Sequence, residues 1–165
     1  MVEKKGPGYR VGMGYDVHTL VEHRPLILGG ITIPYHRGLA GHSDADCLAH
    51  AICDALLGAI AAGDIGRHFP DTDPQYKGVE SLQLLKKVVE MVKTKGFKIT
   101  NIDATLVAQA PQLAPYRTQM EEKIAATVGI EQGRVNLKAT TTEGLGFTGR
   151  GEGIAVYAVV LVEPQ

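Results

Sequence analysis

At 165 residues, with a formal net charge of −1, three Phe, six Tyr and no Trp, the chain suits one domain with room for a real core. It carries no basic stripe with interleaved stacking residues, which removes the electrostatic ground for nucleic-acid binding. Its longest apolar run, Ile154 to Val162, is about half of the roughly 20 residues that a spanning helix needs, and the lead-in MVEKKGPGYR lacks an apolar export signal, so a cytoplasmic protein is expected.

The first predicted strand covers residues 9 to 17. Pro25 to Pro34 then reads as a hairpin, with Gly29-Gly30 at its turn. An Ala- and Leu-rich helical period runs from about Asp44 to Ala62, with Ser43 or Asp44 as N-cap and Gly63 as the stop. Cys47 and Cys53 fall on different faces of this helix and read as small packed hydrophobes. A second helix is predicted from Glu80 to Thr94 and ends at Gly96, a strand from Phe97 to Ala110, and a third helix from Ala114 to Val128 before Gly129. Strands near Arg134 to Thr141 and Gly153 to Glu163 close the chain. The fold class is α+β (mixed α/β): a mixed four-stranded sheet with helices on one face, plus a small N-terminal hairpin. The last strand is apolar at nearly every position, which predicts cover on both faces and hence an oligomer.

Asp16 and His18 alternate onto one side of the first strand and can converge with His50 of the first helix. Two histidines and a carboxylate with an open fourth position form a zinc ligand set suited to a water or substrate oxygen. On the helix, Asp46, His50 and Asp54 make a polar stripe whose simplest reading is a solvated face. His42-Ser43 precedes that helix, where free N–H groups attract phosphate. Thr140, Thr141, Thr142 and Glu143 supply hydroxyls and a carboxylate suited to phosphate oxygens and a hard cation. The Gly144-x-Gly146-x-x-Gly149 pattern leads into a strand rather than a helix, so it is no dinucleotide fingerprint. Asp71-x-Asp73 reads as turn chemistry within a lid-like connection, and His23, His36 and His68 as surface residues.

Asp16-Val-His18, Gly41-His-Ser-Asp-Ala-Asp46, Asp64-Ile-Gly66, Phe69-Pro-Asp-Thr-Asp-Pro74, Ala108-Gln-Ala-Pro111 and Thr140-Thr-Thr-Glu143 through Gly-Arg150-Gly-Glu-Gly-Ile occur in this order along the whole chain. In them the chain resembles the 2-C-methyl-D-erythritol 2,4-cyclodiphosphate synthase family of non-mevalonate isoprenoid biosynthesis. The resemblance implies a lyase-type cyclisation of 4-diphosphocytidyl-2-C-methyl-D-erythritol 2-phosphate with release of CMP. It implies zinc on Asp16, His18 and His50, and a second divalent cation, Mg²⁺ or Mn²⁺, near Glu143. His42 and Thr141 match the residues that hold the phosphoryl groups in the transition state.

The same resemblance puts the cytosine pocket on Ala108, Gln109, Ala110, Pro111, Gln112, Leu113 and Ala114. It puts the methylerythritol moiety against Asp64, Ile65 and Gly66, and the covering loop on Phe69, Pro70, Asp71, Thr72 and Asp73. It implies a homotrimer with inward-facing sheets and sites between subunits, and an axial cavity near Phe147, Arg150 and Glu152 that holds isoprenoid diphosphates in family members. The chain departs from the common pattern at Gly144, where many members carry Lys, and at Ala45, often Gly. Two other readings of the ligand set are a non-catalytic diphosphate binder and a zinc-dependent phosphohydrolase.

Overall fold

The computed structural model describes residues 8–165, so the lead-in up to Pro7 lies outside the described residues. In chain order the strands are β1 (Arg10–Glu22), β2 (Leu26–Leu28), β3 (Ile31–Ile33), β4 (Arg37–Leu39), β5 (Phe97–Val107), β6 (Val135–Thr140) and β7 (Gly153–Pro164). The helices are α1 (Cys47–Ala59), α2 (Ile65–His68), α3 (Ser81–Thr94), α4 (Arg117–Val128) and α5 (Gly146–Gly149).

The main sheet has five strands in the order β4-β1-β7-β5-β6, not the four expected, and β2 and β3 form the separate hairpin. The added strand is β4, whose three residues carry too little pattern to be read from sequence. Its antiparallel pairing, Leu20 to Leu39 and Glu22 to Arg37, draws β1 on past the expected end at Val17. β1 and β5 flank β7 antiparallel, and β6 joins β5 in parallel, so the sheet is mixed.

The β1 sequence explains how the first helix docks. Gly12, Gly14, Asp16 and His18 share one face by the two-residue period. A Cβ on Gly12 would stand 1.8 Å from the Ala55 carbonyl oxygen, and one on Gly14 would stand 1.9 Å from that of Ala51. The two glycines therefore let α1 lie directly on the strand backbone. Leu48, Ile52 and Leu56 are fully buried, each worth roughly 1.5–3 kcal/mol of apolar transfer. α3 packs on α1 and β5, and α4 on β6, so helices cover one face of the sheet.

The opposite face behaves differently. Val11, Met13, Tyr15 and Val17 of β1 and Tyr157 and Val159 of β7 are each at least 40% exposed. Within one chain β7 is thus covered on the face of Ile154, Val156, Ala158, Val160 and Val162, while on the other face Ala155 is buried and Tyr157 and Val159 are not. Among the described residues no helix is long and apolar enough to cross a membrane.

Several helix boundaries shift for local reasons. The α1 cap is Asp46 rather than Ser43 or Asp44, and the helix ends at Ala59, with Ile60 as its C-cap and Ala61 already at φ 55 before Gly63 is reached. Residues Ala114–Tyr116 form a 3-10 turn around Pro115, so α4 begins at Arg117, and it ends at Val128 before Gly129, whose φ is 77. β5 ends at Val107 instead of Ala110, and the following residues bend away into a pocket wall.

Candidate active site

Seated on Gly12 and Gly14, α1 carries His50 over the middle of β1, where Asp16 and His18 project on the same face. Asp16 Oδ2 lies 2.9 Å from His18 Nε2 and 3.2 Å from His50 Nδ1, and the two ring nitrogens are 3.2 Å apart. A tetrahedral ion bonded at about 2.1 Å separates its ligand atoms by about 3.4 Å, so this triangle needs little expansion to hold one. His18 Nδ1 donates to the Ala40 carbonyl at 2.6 Å, which in the neutral ring leaves Nε2 with a lone pair facing a carboxylate oxygen. A positive charge belongs between these atoms, either a proton on the ring or a metal ion. Among the described residues this is the one cluster of His, Cys and acidic groups with ligand atoms close enough for an ion.

The electrostatics match. Burial alone would raise the Asp16 pKa, but hydrogen bonds and charge from His18 and His50 outweigh it and bring the carboxyl to about 2. Burial would likewise lower the His18 pKa, but the Asp16 hydrogen bond and charge hold it above the usual 6.5. Cys47, beside this carboxylate, is pushed well above 9 by burial and by the Asp16 and Asp46 charges, and its thiol donates to the Ile154 carbonyl. Both cysteines are buried and free, in keeping with a packing role.

The trio lines a cleft of about 190 Å³ together with Gly41, His42, Ser43, Ile65, Gly66, Phe69, Asp71 and Tyr76. His42 Nε2 is buried there without a hydrogen-bond partner among the described residues. Arg24 holds the loop beneath it, donating to the Gly41 and Ser43 carbonyls at 3.1 and 3.0 Å. His42-Ser43 does not sit on the helix end as expected. The α1 cap is instead filled by Asp46, which is fully buried and accepts from the N–H groups of Ala49, Gly29 and Gly30. The polar stripe is therefore not a solvated face: Asp46 ties the hairpin to the helix, His50 faces the trio, and Asp54 accepts from Ile65 N at 2.7 Å. That last bond anchors α2, whose N-cap is Asp64.

Pro70, Thr72 and Asp73, of the same connection, do not line the cleft, and Asp73 caps the turn at Pro74–Tyr76. Phe69 meets Tyr76 edge to face at 5.4 Å, and Lys87 of α3 lies 5.3 Å from the Tyr76 ring. Of the surface histidines, His23 and His36 are exposed, whereas His68 is half-buried with Nε2 on the Ala62 carbonyl at 2.8 Å.

A second pocket of about 350 Å³ is lined by Ala108, Gln109, Pro111, Gln112, Leu113, Ala114, Ala139, Thr140 and Thr141, with Ala110 half-buried in the same turn. No residue lines both pockets, so His42 and Thr141 fall in different clefts of one chain. Thr142 hydrogen-bonds Thr148, and exposed Glu143 sits at φ 56 beside Gly144 at φ 78. Lysine at position 144 would be strained at that angle, as Ala45 is at φ 57. Phe147 does not line the cleft of His42 and His50 but shares a separate pocket with His18 and Glu152, and Arg150 makes two bonds to Glu152 at 2.9 and 3.1 Å.

Sequence reasoning missed Ser81 and the partnership of Asp44 with it. Ser81 Oγ stands 2.8 Å from His50 Nε2 and bonds Asp44 Oδ1. A serine at a helix start signals only a cap, and nothing in its neighbourhood points to a residue 31 positions away.

Residues 9–163 match the YgbB family. A 2-C-methyl-D-erythritol 2,4-cyclodiphosphate synthase of Geotalea uraniireducens is 64% identical over 154 residues, covering 93% of this chain and 98% of that protein. The bifunctional IspDF of Campylobacter jejuni superposes with a TM-score of 0.92 at 45% identity, over 95% of this chain and 42% of that one. IspF of Plasmodium falciparum, in complex with CDP, superposes with a TM-score of 0.85 at 30% identity, over 98% of this chain and 99% of that one. With a family match across nearly the whole described chain and such relatives, the chain belongs to the YgbB family, that of the 2-C-methyl-D-erythritol 2,4-cyclodiphosphate synthases.

Proposed function

We propose that this chain converts 4-diphosphocytidyl-2-C-methyl-D-erythritol 2-phosphate to 2-C-methyl-D-erythritol 2,4-cyclodiphosphate and CMP. A 2-phosphate oxygen forms a bond to the β-phosphorus, the bond from that phosphorus to the bridging oxygen breaks, and its electron pair leaves with CMP. No water is consumed. The observation that carries this reading is the convergence of Asp16, His18 and His50 within 3.2 Å in a cleft that also holds His42.

The donor set, two imidazole nitrogens and one carboxylate oxygen, fits zinc. Zinc held by Asp16, His18 and His50 would supply charge neutralisation and a fixed position for a phosphoryl group. His42 contributes a buried ring nitrogen with no protein partner among the described residues, suited to a phosphoryl oxygen. Thr141 contributes an exposed hydroxyl, and exposed Glu143 a carboxylate for Mg²⁺ or Mn²⁺ on the diphosphate. Phosphoryl transfer needs little covalent help, so these residues act by positioning and by charge.

The cytidine moiety belongs in the pocket of Ala108 to Ala114, a placement favoured by the relative that binds CDP. The assembly is a homotrimer in which one chain's nucleotide pocket meets its neighbour's metal cleft. Two features support it: the uncovered apolar face of β1 and β7, and the separation of His42 from Thr141 within one chain. Ser43, Asp64 to Gly66 and Phe69 to Asp73 contact the rest of the substrate. Phe147, Arg150 and Glu152 border an axial cavity open to an isoprenoid diphosphate, and the enzyme works in the cytoplasm. The test is incubation of purified protein with Mg²⁺ and substrate, in which CMP and the cyclic diphosphate appear in equal amounts. Linear phosphate products would overturn the reading in favour of a hydrolase.

A further inference from the structure

A histidine binds a metal through one ring nitrogen only if its proton stays on the other. At His50 the nitrogen turned away from Asp16 is Nε2, with Ser81 Oγ at 2.8 Å and Ser43 Oγ at 3.2 Å. Ser81, the first residue of α3, is fully buried. On its far side Asp44 Oδ1 contacts Ser81 Oγ, while Asp44 Oδ2 accepts the Ser81 backbone N–H at 3.1 Å. A carboxylate only accepts, so the single Ser81 hydroxyl proton goes to Asp44. The contact between Ser81 Oγ and His50 Nε2 then needs a proton from the ring.

The opposite arrangement fails on the same count. Were Ser43 to donate to a bare Nε2, that lone pair would face the Ser81 oxygen lone pairs at 2.8 Å. Ser43 Oγ accepts from Ala45 N at 3.1 Å and lies 3.3 Å from Ser81 Oγ, to which its own proton can turn.

We propose that Asp44 and Ser81 are positioning residues that keep the His50 proton on Nε2 and so present Nδ1, 3.2 Å from Asp16 Oδ2, as the ligand atom. The relay runs from His50 Nε2–H to Ser81 Oγ, and from the Ser81 hydroxyl to Asp44. It gives a buried serine and a carboxylate a common purpose, and it links the entry of α3 to the metal ligand on α1. The proposal rests on the zinc reading above: in the empty trio Asp16 Oδ2, 3.2 Å from His50 Nδ1, is itself an acceptor competing for the ring proton, and a cation held there removes that competition.

Ser81→Ala tests it by removing the oxygen between His50 Nε2 and Asp44, and Asp44→Asn is the second variant, in which either placement of the amide sets its NH₂ against a backbone N–H, that of Ser81 or of Asp46. In the zinc-loaded full-length protein, ¹⁵N chemical shifts should place the His50 proton on Nε2, and its exchange with water should be slow in the parent and faster in both variants. Titration with Zn²⁺ alone should show about a 10–100-fold loss of affinity for Ser81→Ala and a loss in the same direction for Asp44→Asn. Thermal unfolding of both metal-free variants identifies any loss due to misfolding, and Ser81→Ala remains if Asp44→Asn does not fold. A zinc-loaded parent with the His50 proton on Nδ1, or folded variants that keep both the parent's zinc affinity and its slow Nε2–H exchange, would overturn the proposal. A parent that binds no zinc would overturn the zinc reading and the proposal with it, an outcome distinct from variants that bind as tightly as the parent.

Discussion

Gly14 lies directly beneath Ala51, with room for only 1.9 Å between an added Cβ and the Ala51 carbonyl oxygen. The same contact that closes the core sets the distance from α1 to β1, and therefore the distance from His50 to Asp16. Gly14→Ala should cost about 3 kcal/mol in urea unfolding and weaken zinc retention, because α1 has to lift off the strand. A variant as stable as the parent would mean that α1 is not seated on β1 in this way.

Asp46→Ala removes the acceptor of three N–H groups at 2.9, 2.7 and 3.0 Å, from Gly29, Gly30 and Ala49. Buried donors without partners and a lost cap should together lower stability by roughly 4 kcal/mol. Denaturant unfolding checks this, and a change under about 1 kcal/mol would show that the hairpin is not held by this carboxylate.

Zinc should reverse the pH dependence of stability. In the metal-free protein the raised His18 pKa contributes stability that is present below 6.5 and lost as pH rises through the folded value. The lowered Asp16 pKa contributes above 3.8 and is lost only as pH falls through about 2. Metal-free protein should therefore weaken as pH rises above 6.5, whereas zinc must displace the His18 proton and binds more tightly over that same window. Thermal melts between about pH 6 and 8 should show the zinc-dependent gain in Tm growing with pH. A constant or shrinking gain would contradict proton competition at these ligands.

The face formed by Val11, Met13, Tyr15, Val17, Tyr157 and Val159 should be buried in the assembly. Light scattering is expected to give three times the chain mass of 17.6 kDa, and Val159→Asp should yield smaller species that release little CMP. A parent of single-chain mass would remove the intersubunit site.

The ligand trio could be read from the sequence because both periods are short-range: alternation aligns Asp16 with His18, and a helical stretch carries His50. The glycines of β1 gave no such signal, since what they accommodate, the backbone at Ala51 and Ala55, is distant in sequence. Asp46 looked like part of a solvated stripe because its acceptor role depends on a hairpin 17 residues earlier. β4 escaped because three residues cannot display a period, and Ser81 because its partners are Asp44 and His50. Ala45 and Gly144, departures from the family pattern, both occupy left-handed backbone, where the side chain matters less than the angle.

The central claim is that a phosphate of the substrate, and not water, attacks phosphorus. The most direct measurement is phosphorus NMR of the complete reaction run in ¹⁸O-enriched water. The account predicts CMP and one cyclic diphosphate, with no isotope-shifted resonance in either. An ¹⁸O shift in the CMP or in a linear diphosphate product would contradict it and assign the cleft to hydrolysis.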